Sequence, residues 1–341
     1  MTPVYRQALE ALADRLGDCE VLRGSRILIT GATGLIGACL TDALLALNRR
    51  HGLELRLTAL CRDAVRGETR FPDPSVRVVG LDIARACPEE PADYIIHAAS
   101  NAHPAAFVTD PVGTMLGNFQ GTLHLLNHLR DRNGRRLLFV STGEIYGENP
   151  HILQGFRETD FGKIDPMNPR SCYPESKRAA ETLLASHVRQ YGTDALVARL
   201  CYVYGPTITP DNSRADAQFL RKALAGEPIV MKSAGSQLRS YCYVMDAVSA
   251  LLTLLLKGKA GEAYNVANPH SVHTIRQYAE TLARLAGVNV VFAPDSEAQR
   301  GGSTVTRAVQ HPGKLMELGW TPAYSLEDGL TQTLQALKNR E

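Results

Sequence analysis

From Arg26 onward, short unbroken apolar runs alternate with longer stretches in which apolar positions recur every three or four residues. The runs are "RILIT", "LRLTAL", "VRVVGL", "YIIHAA", "RRLLFVS" and "ALVARL"; the longer stretches include "LIGACLTDALLALN", "GTLHLLNHLRD" and "KRAAETLLASHVRQY". Continuous apolar runs read as strands covered on both faces, and the periodic stretches read as amphipathic helices. Strand, helix, strand at this rhythm implies parallel crossovers. The expected fold is therefore α/β, with a Rossmann-type doubly wound parallel sheet over residues 25–205.

After "VYGP" at residues 203–206 the rhythm breaks into Pro- and Gly-containing stretches such as "GPTITPDNSRADAQ", with isolated helices "AQFLRKALAG" and "TIRQYAETLARLAG". A smaller α/β substrate lobe is expected over residues 206–341. Part of 240–268 is expected to fold back on the first domain, because "YCYVMDAVSALLTLLL" again reads as buried strand followed by helix. Residues 1–24 read as an N-terminal helical extension. A length of 341 residues suits one large domain with an added lobe.

Charge adds little. Lys and Arg number 37 against 35 Asp and Glu, with no run of one sign, which argues against a nucleic-acid partner. No segment has the length of a membrane span and the N-terminus lacks the apolar core of a signal peptide, so no membrane partner is expected. Seven cysteines form an odd set without a C-x-x-C pair, several inside apolar runs, which points to free thiols in a reducing cytoplasm.

The candidate chemistry begins at "GATGLIG", where Gly31, Gly34 and Gly37 stand between a strand and a helix. That spacing lets the backbone approach a pyrophosphate and aims the helix N-terminus at its charge, so a dinucleotide is the expected ligand. At the end of the second strand, Cys61 stands where an acid would hold the ribose of NAD. Arg62 comes next and tilts the choice of NAD(P) towards NADP, although Asp63 would reach the ribose if the strand ended one residue later. Asp82, at the end of the third strand, is either an adenine contact or a strand-end cap.

"YPESK" places Tyr173 one helical turn before Lys177. A phenol with a pKa of about 10 is a weak base at neutral pH, but a nearby cation favours the phenolate. Upstream, "LLFVSTGEIYG" ends a buried strand with Ser141, Thr142 and Glu144, at the carboxyl edge where doubly wound sheets bind ligands. His124 and His128 also fall one turn apart, but no third ligand accompanies them; they read as structural, and no metal is expected.

With "HAAS", "GNFQGTLHLL", "GSQLRSYCYVMD" and "LGWTPAYSLEDGL" added, the chain resembles the extended short-chain dehydrogenase/reductases that act on nucleotide-linked sugars, from about Arg26 to Leu330. The resemblance implies transient oxidation of a sugar at C4 by NAD(P), with Tyr173 as base, Lys177 as its partner and ribose anchor, and Thr142 aiding proton transfer. It further implies a cofactor site formed by Gly31, Thr33, Gly34, Leu35, Ile36, Gly37, Arg62, Asp82, Ile83, Ala98, Ala99, Ser100 and Asn118, together with Tyr173 and Lys177. Substrate contacts are implied for Ser141, Thr142, Arg170, Tyr202 and Arg239. A nucleotide-diphospho-sugar is the implied partner, and a homodimer is expected by analogy.

The strand-end triplet Thr142-Gly143-Glu144 lacks the acid that the 4,6-dehydratases carry in the middle, which argues against dehydration. Glu144 is surplus to a simple 4-epimerase. UDP-glucuronate decarboxylases carry Thr-Ser-Glu there, and "DPMNPRSCYPESKRAAETL" echoes their segment, so decarboxylation of a UDP-hexuronic acid leads. C4 or related epimerisation, or oxidoreduction, of another nucleotide sugar is the alternative. A catalytically idle NAD(P)-binding scaffold is the alternative from another class. One departure stands out: Tyr202 replaces an Asn usual before "x-YGP", so the sugar or nucleotide can differ.

Overall fold

The computed structural model describes residues 1–293 and 305–338. In chain order the elements are α1 (Pro3–Arg15), β1 (Arg26–Thr30), α2 (Leu35–His51), β2 (Arg56–Cys61), α3 (Ala64–Arg70), β3 (Val76–Gly80) and β4 (Tyr94–His97). Next come α4 (Pro104–Thr109), α5 (Pro111–Asp131), β5 (Arg136–Thr142), α6 (Cys172–Tyr191), β6 (Ala195–Leu200) and β7 (Tyr202–Tyr204). The rest comprises α7 (Ala215–Leu224), β8 (Ile229–Met231), β9 (Leu238–Tyr243), α8 (Val244–Lys257), β10 (Ala263–Val266), β11 (Val272–Thr274), α9 (Ile275–Ala286), β12 (Val290–Phe292), β13 (Arg307–Ala308), α10 (Gly313–Met316) and α11 (Leu326–Lys338).

Seven strands form a parallel sheet in the order β10-β6-β5-β4-β1-β2-β3. The chain moves outward from β1 through β2 to β3, then returns to the other side of β1 with β4, so the order reverses between β1 and β4. That crevice is where a sheet of this kind takes ligands.

Period-2 alternation explains why the strands needed to be apolar throughout. Ile27 and Ile29 pack in one core with α2 and α8, whereas Leu28 lies in a second core with Leu125, Leu129 and Leu184 of α5 and α6. The N-terminal helix joins the first core. Tyr5, Ala8, Leu9, Leu12 and Ala13 are buried at helical spacing, and the Tyr5 hydroxyl donates to Asp42 of α2 at 2.8 Å. Loss of the Leu12 side chain to Ala is expected to cost about 2–5 kcal/mol.

Beyond β6 the chain builds a second sheet in which β9 pairs with β7, β11 and β13, and β8 pairs separately with β12. The helix α8 packs on α2, and β10 becomes an edge strand of the main sheet beside β6. Residues from both sheets thus meet above the carboxyl ends of β1, β4 and β5.

Candidate active site

The glycine loop is shaped by close approach. Gly31 comes directly after β1 with φ +66°, and a Cβ there would stand 2.7 Å from the Ala98 carbonyl oxygen and the Ala99 Cα at the end of β4. Only glycine combines that left-handed conformation with that contact. One turn into α2, a Cβ on Gly37 would collide with the Gly31 carbonyl, while Gly34 forms the N-cap of α2. The helix therefore opens directly onto the crevice, a geometry fitted to a pyrophosphate.

Two adjoining clefts share Gly31, Gly34, Ala98 and Ser100. One extends towards β2 and β3 and is lined by Thr33, Arg62, Arg66, Asp82, Ile83, Arg85 and Ala99. Here Asp63 caps α3, its carboxylate accepting the Arg66 N–H at 3.0 Å, while Arg62 donates to Asn101 at 3.2 Å. Asp82 accepts the Ala84 N–H at 3.0 Å and lies 3.7 Å from Arg85.

The other cleft holds Leu35, Ile36, Gly37, Ser141, Thr142, Gly143, Glu144, Tyr173, Lys177 and Tyr202. Tyr173 opens α6 and stacks on Phe107 of α4, ring centroids 4.9 Å apart and 18° from parallel. Burial, with Glu144 nearby, holds its phenol well above the ordinary range, and the Thr142 hydroxyl and the Arg214 guanidinium act in the opposite direction. Lys177 lies one turn along, but its ammonium donates to the Val140 carbonyl at 2.8 Å and sits 4.5 Å from the centre of the Phe139 ring. Burial pushes its pKa down to about 7, against the opposing pull of Glu181. The lysine is thus turned to the strand carbonyl, and the Arg214 guanidinium is one of the groups that favour the phenolate.

Thr142 ends β5, and its hydroxyl oxygen accepts the Glu144 N–H at 3.2 Å, turning the chain so that Glu144 faces the cleft. Arg170 forms an ion pair with Glu144 at 3.2 Å and lies over Phe107. Ser141 points its hydroxyl to Glu181, which is paired with buried Arg199. Two guanidiniums lie over the Tyr202 ring, Arg239 at 5.3 Å and Arg214 at 5.8 Å from its centre. Such stacking is favourable when water is excluded.

Three of the residues named from sequence lie behind this surface. Arg239 is 2% exposed and donates to the carbonyls of Leu238 and Val305, and its guanidinium lies over the ring of the cleft residue Tyr202. Arg170 stands behind Glu144. Asn118 is fully buried: it accepts from Ser100 at 2.8 Å and donates to Ser176 at 2.9 Å, whose hydroxyl in turn donates to the Tyr173 carbonyl. It braces the first turn of α6 against α5. His124 donates to the Ile83 carbonyl at 2.8 Å, and burial lowers the pKa of His128. Two cleft residues, Arg214 and Gln310, carry no signal in the sequence pattern. Arg214 ends an irregular loop and pairs with Asp216, and Gln310 arrives just after a two-residue strand.

The model of the NAD dependent epimerase/dehydratase family matches residues 27–267. The chain belongs to this family. UDP-glucuronic acid decarboxylase 1 of Danio rerio is 33% identical over 318 residues, covering 91% of this chain and 72% of that protein. UDP-glucuronic acid decarboxylase 5 of Arabidopsis thaliana is 33% identical over 310 residues, covering 89% and 87%. Among solved structures, UDP-glucose 4-epimerase of Thermus thermophilus in complex with NAD superposes with a TM-score of 0.78 at 28% identity, covering 93% of this chain and all of that one. The resemblance to extended short-chain dehydrogenase/reductases and the doubly wound α/β fold expected from sequence both stand.

Proposed function

We propose that the protein oxidises a nucleotide-linked sugar at C4 with bound NAD(P), and that the sugar, a UDP-hexuronic acid, then loses its carboxylate as carbon dioxide. The observation that carries this reading is the convergence of Thr142, Glu144 and Tyr173 in one cleft that opens from the glycine loop. The decarboxylases among the relatives supply the substrate class.

The cleft beside Gly31 and Gly34 and the N-terminus of α2 fit the pyrophosphate of a dinucleotide. Bound there, NAD(P) would take up the C4 hydride and later return it. The phenol of Tyr173 exchanges the C4 hydroxyl proton, with the Thr142 hydroxyl sharing that hydrogen bond. Lys177 holds a cofactor ribose. Once C4 is a ketone, the C5–C6 bond can break with its electron pair passing into the C4 enolate. Glu144, held by Arg170, then passes a proton drawn from solvent to C5, where it takes the place of the departed carboxylate. A second reading, C4 epimerisation, is favoured by the 4-epimerase of 28% identity.

NADP is the finer choice of cofactor. Arg62, Arg66 and Arg85 line the cleft that would take the adenosine, while Asp63 is committed to its helix cap. Guanidiniums suit a ribose phosphate. A homodimer is supported by Val112, Met115, Leu116 and Phe119, apolar and exposed on one end of α5. Free thiols at all seven cysteines support a reducing cytoplasm.

The test is product analysis. Incubated with a panel of nucleotide sugars including UDP-glucuronate, the enzyme is expected to yield a product lighter by carbon dioxide. Unchanged mass with an inverted C4 proton by NMR would replace decarboxylation with epimerisation. Cofactor binding without turnover of any sugar would favour the scaffold.

A further inference from the structure

Gly143, in the middle of the Thr142-Gly143-Glu144 loop, lacks a side chain for a reason of space. Its φ is not in the left-handed region, so the backbone does not demand glycine. A Cβ there would stand 2.9 Å from both Cδ and Oε1 of Gln310, and 3.2 Å from its Nε2. The amide of a residue far along the chain has taken the place that a loop side chain would fill.

Gln310 is 4% exposed and lines the catalytic cleft. Its orientation is fixed from behind. The backbone N–H donates to Ser240 Oγ at 3.1 Å, and Nε2 donates to the Arg199 carbonyl and to Asn265 Oδ1, each at 3.0 Å. Asn265 cannot reverse its own amide, because its Nδ2 donates to the carbonyls of Phe156 and His311 while its Oδ1 accepts from the Tyr146 hydroxyl. Both Nε2 hydrogens are thereby used. The oxygen of Gln310 is left as an acceptor at the loop, and no donor among the described residues pairs with it.

We propose that Gln310 is a specificity-determining residue of the sugar site: its amide oxygen occupies the place of the missing residue-143 side chain and accepts a hydrogen bond from a hydroxyl of the substrate sugar. The proposal rests on the C4-oxidation reading for placing the sugar in this cleft. An amide oxygen accepts but cannot give a proton, so this position selects a sugar with a hydroxyl there and cannot serve as the acid of a water elimination.

The experiment compares binding of UDP-glucuronate and of UDP, by calorimetry, to enzyme carrying its reduced cofactor. Wild type is expected to bind the sugar nucleotide more tightly than UDP. Gln310→Met removes the acceptor, and Gly143→Ala pushes the amide aside while leaving the residues that anchor it unchanged. Each is expected to narrow the gap by roughly three- to tenfold, the size of one hydrogen bond, with UDP affinity unchanged. Adding Gln310→Ala to Gly143→Ala should bring little further loss, since both act on one contact. An unchanged gap in both variants, a wild type with no gap, or equal losses for UDP would overturn the proposal. Failure of every sugar to turn over would instead count against the proposed reaction, while this binding difference would still decide the role of Gln310.

Discussion

Lys177 donates to the Val140 carbonyl, on the strand that carries Thr142, and not to the phenol of Tyr173 one turn before it on α6. A buried ammonium needs a partner, and the strand carbonyl is the one within reach. Burial nevertheless brings its pKa down to about 7. The unfolded value is about 10.4, so between the two the unfolded chain binds more protons than the folded one. This group therefore adds stability as pH rises from about 7 towards 10, and that stability is lost as pH falls back to the folded value. Lys177→Met should flatten this part of the profile. Urea midpoints of the cofactor-free protein across the interval are the check; a variant that keeps the wild-type slope contradicts the assignment.

Tyr173→Phe should leave the fold intact, because stacking on Phe107 uses the ring rather than the hydroxyl. Removal of a proton-transfer group is expected to lower kcat by about 10²–10⁴-fold. Steady-state kinetics beside a thermal melt separates the two effects. A lowered melting temperature with kcat preserved would make the tyrosine structural.

The parallel sheet was legible because strands covered on both faces must be apolar throughout, and "RILIT" and "RRLLFVS" announce that directly. The second sheet was not. Its strands β7 and β11, like β8 and β12 of the separate pair, are three residues each, too short to show alternation, and their register comes from pairing with distant partners. The same division holds in the site. Gly31, Tyr173 and Thr142 belong to contiguous motifs whose spacing carries meaning. Arg214 and Gln310 reach the cleft only because separate loops converge there, and the bend of Lys177 towards Val140 depends on what surrounds the helix.

Arg62 and Arg66 test the choice of cofactor. With both replaced by Ala, NADPH affinity is expected to fall by roughly tenfold or more, the size of one charge-assisted hydrogen bond, while NADH affinity stays near wild type. Fluorescence titration of each reduced cofactor gives the comparison. Equal losses for both would show that the guanidiniums do not face a phosphate on the ribose.

Glu144 separates the oxidation from the later proton step at C5. Its carboxylate is two residues along the loop from Thr142 and paired with Arg170 at 3.2 Å, so Glu144→Gln keeps the shape and removes the charge and the proton exchange. C4 oxidation relies on Tyr173 and Thr142 and should survive, whereas the proton step should slow by about 10²–10⁴-fold. Reduced-cofactor absorbance would then build up on mixing the variant with substrate, which a fast second step prevents in the wild type. Stopped-flow absorbance under single turnover reads this directly. If the variant shows no reduced cofactor and no product, Glu144 acts at or before the oxidation; if it forms product at the wild-type rate, the carboxylate serves only to hold Arg170.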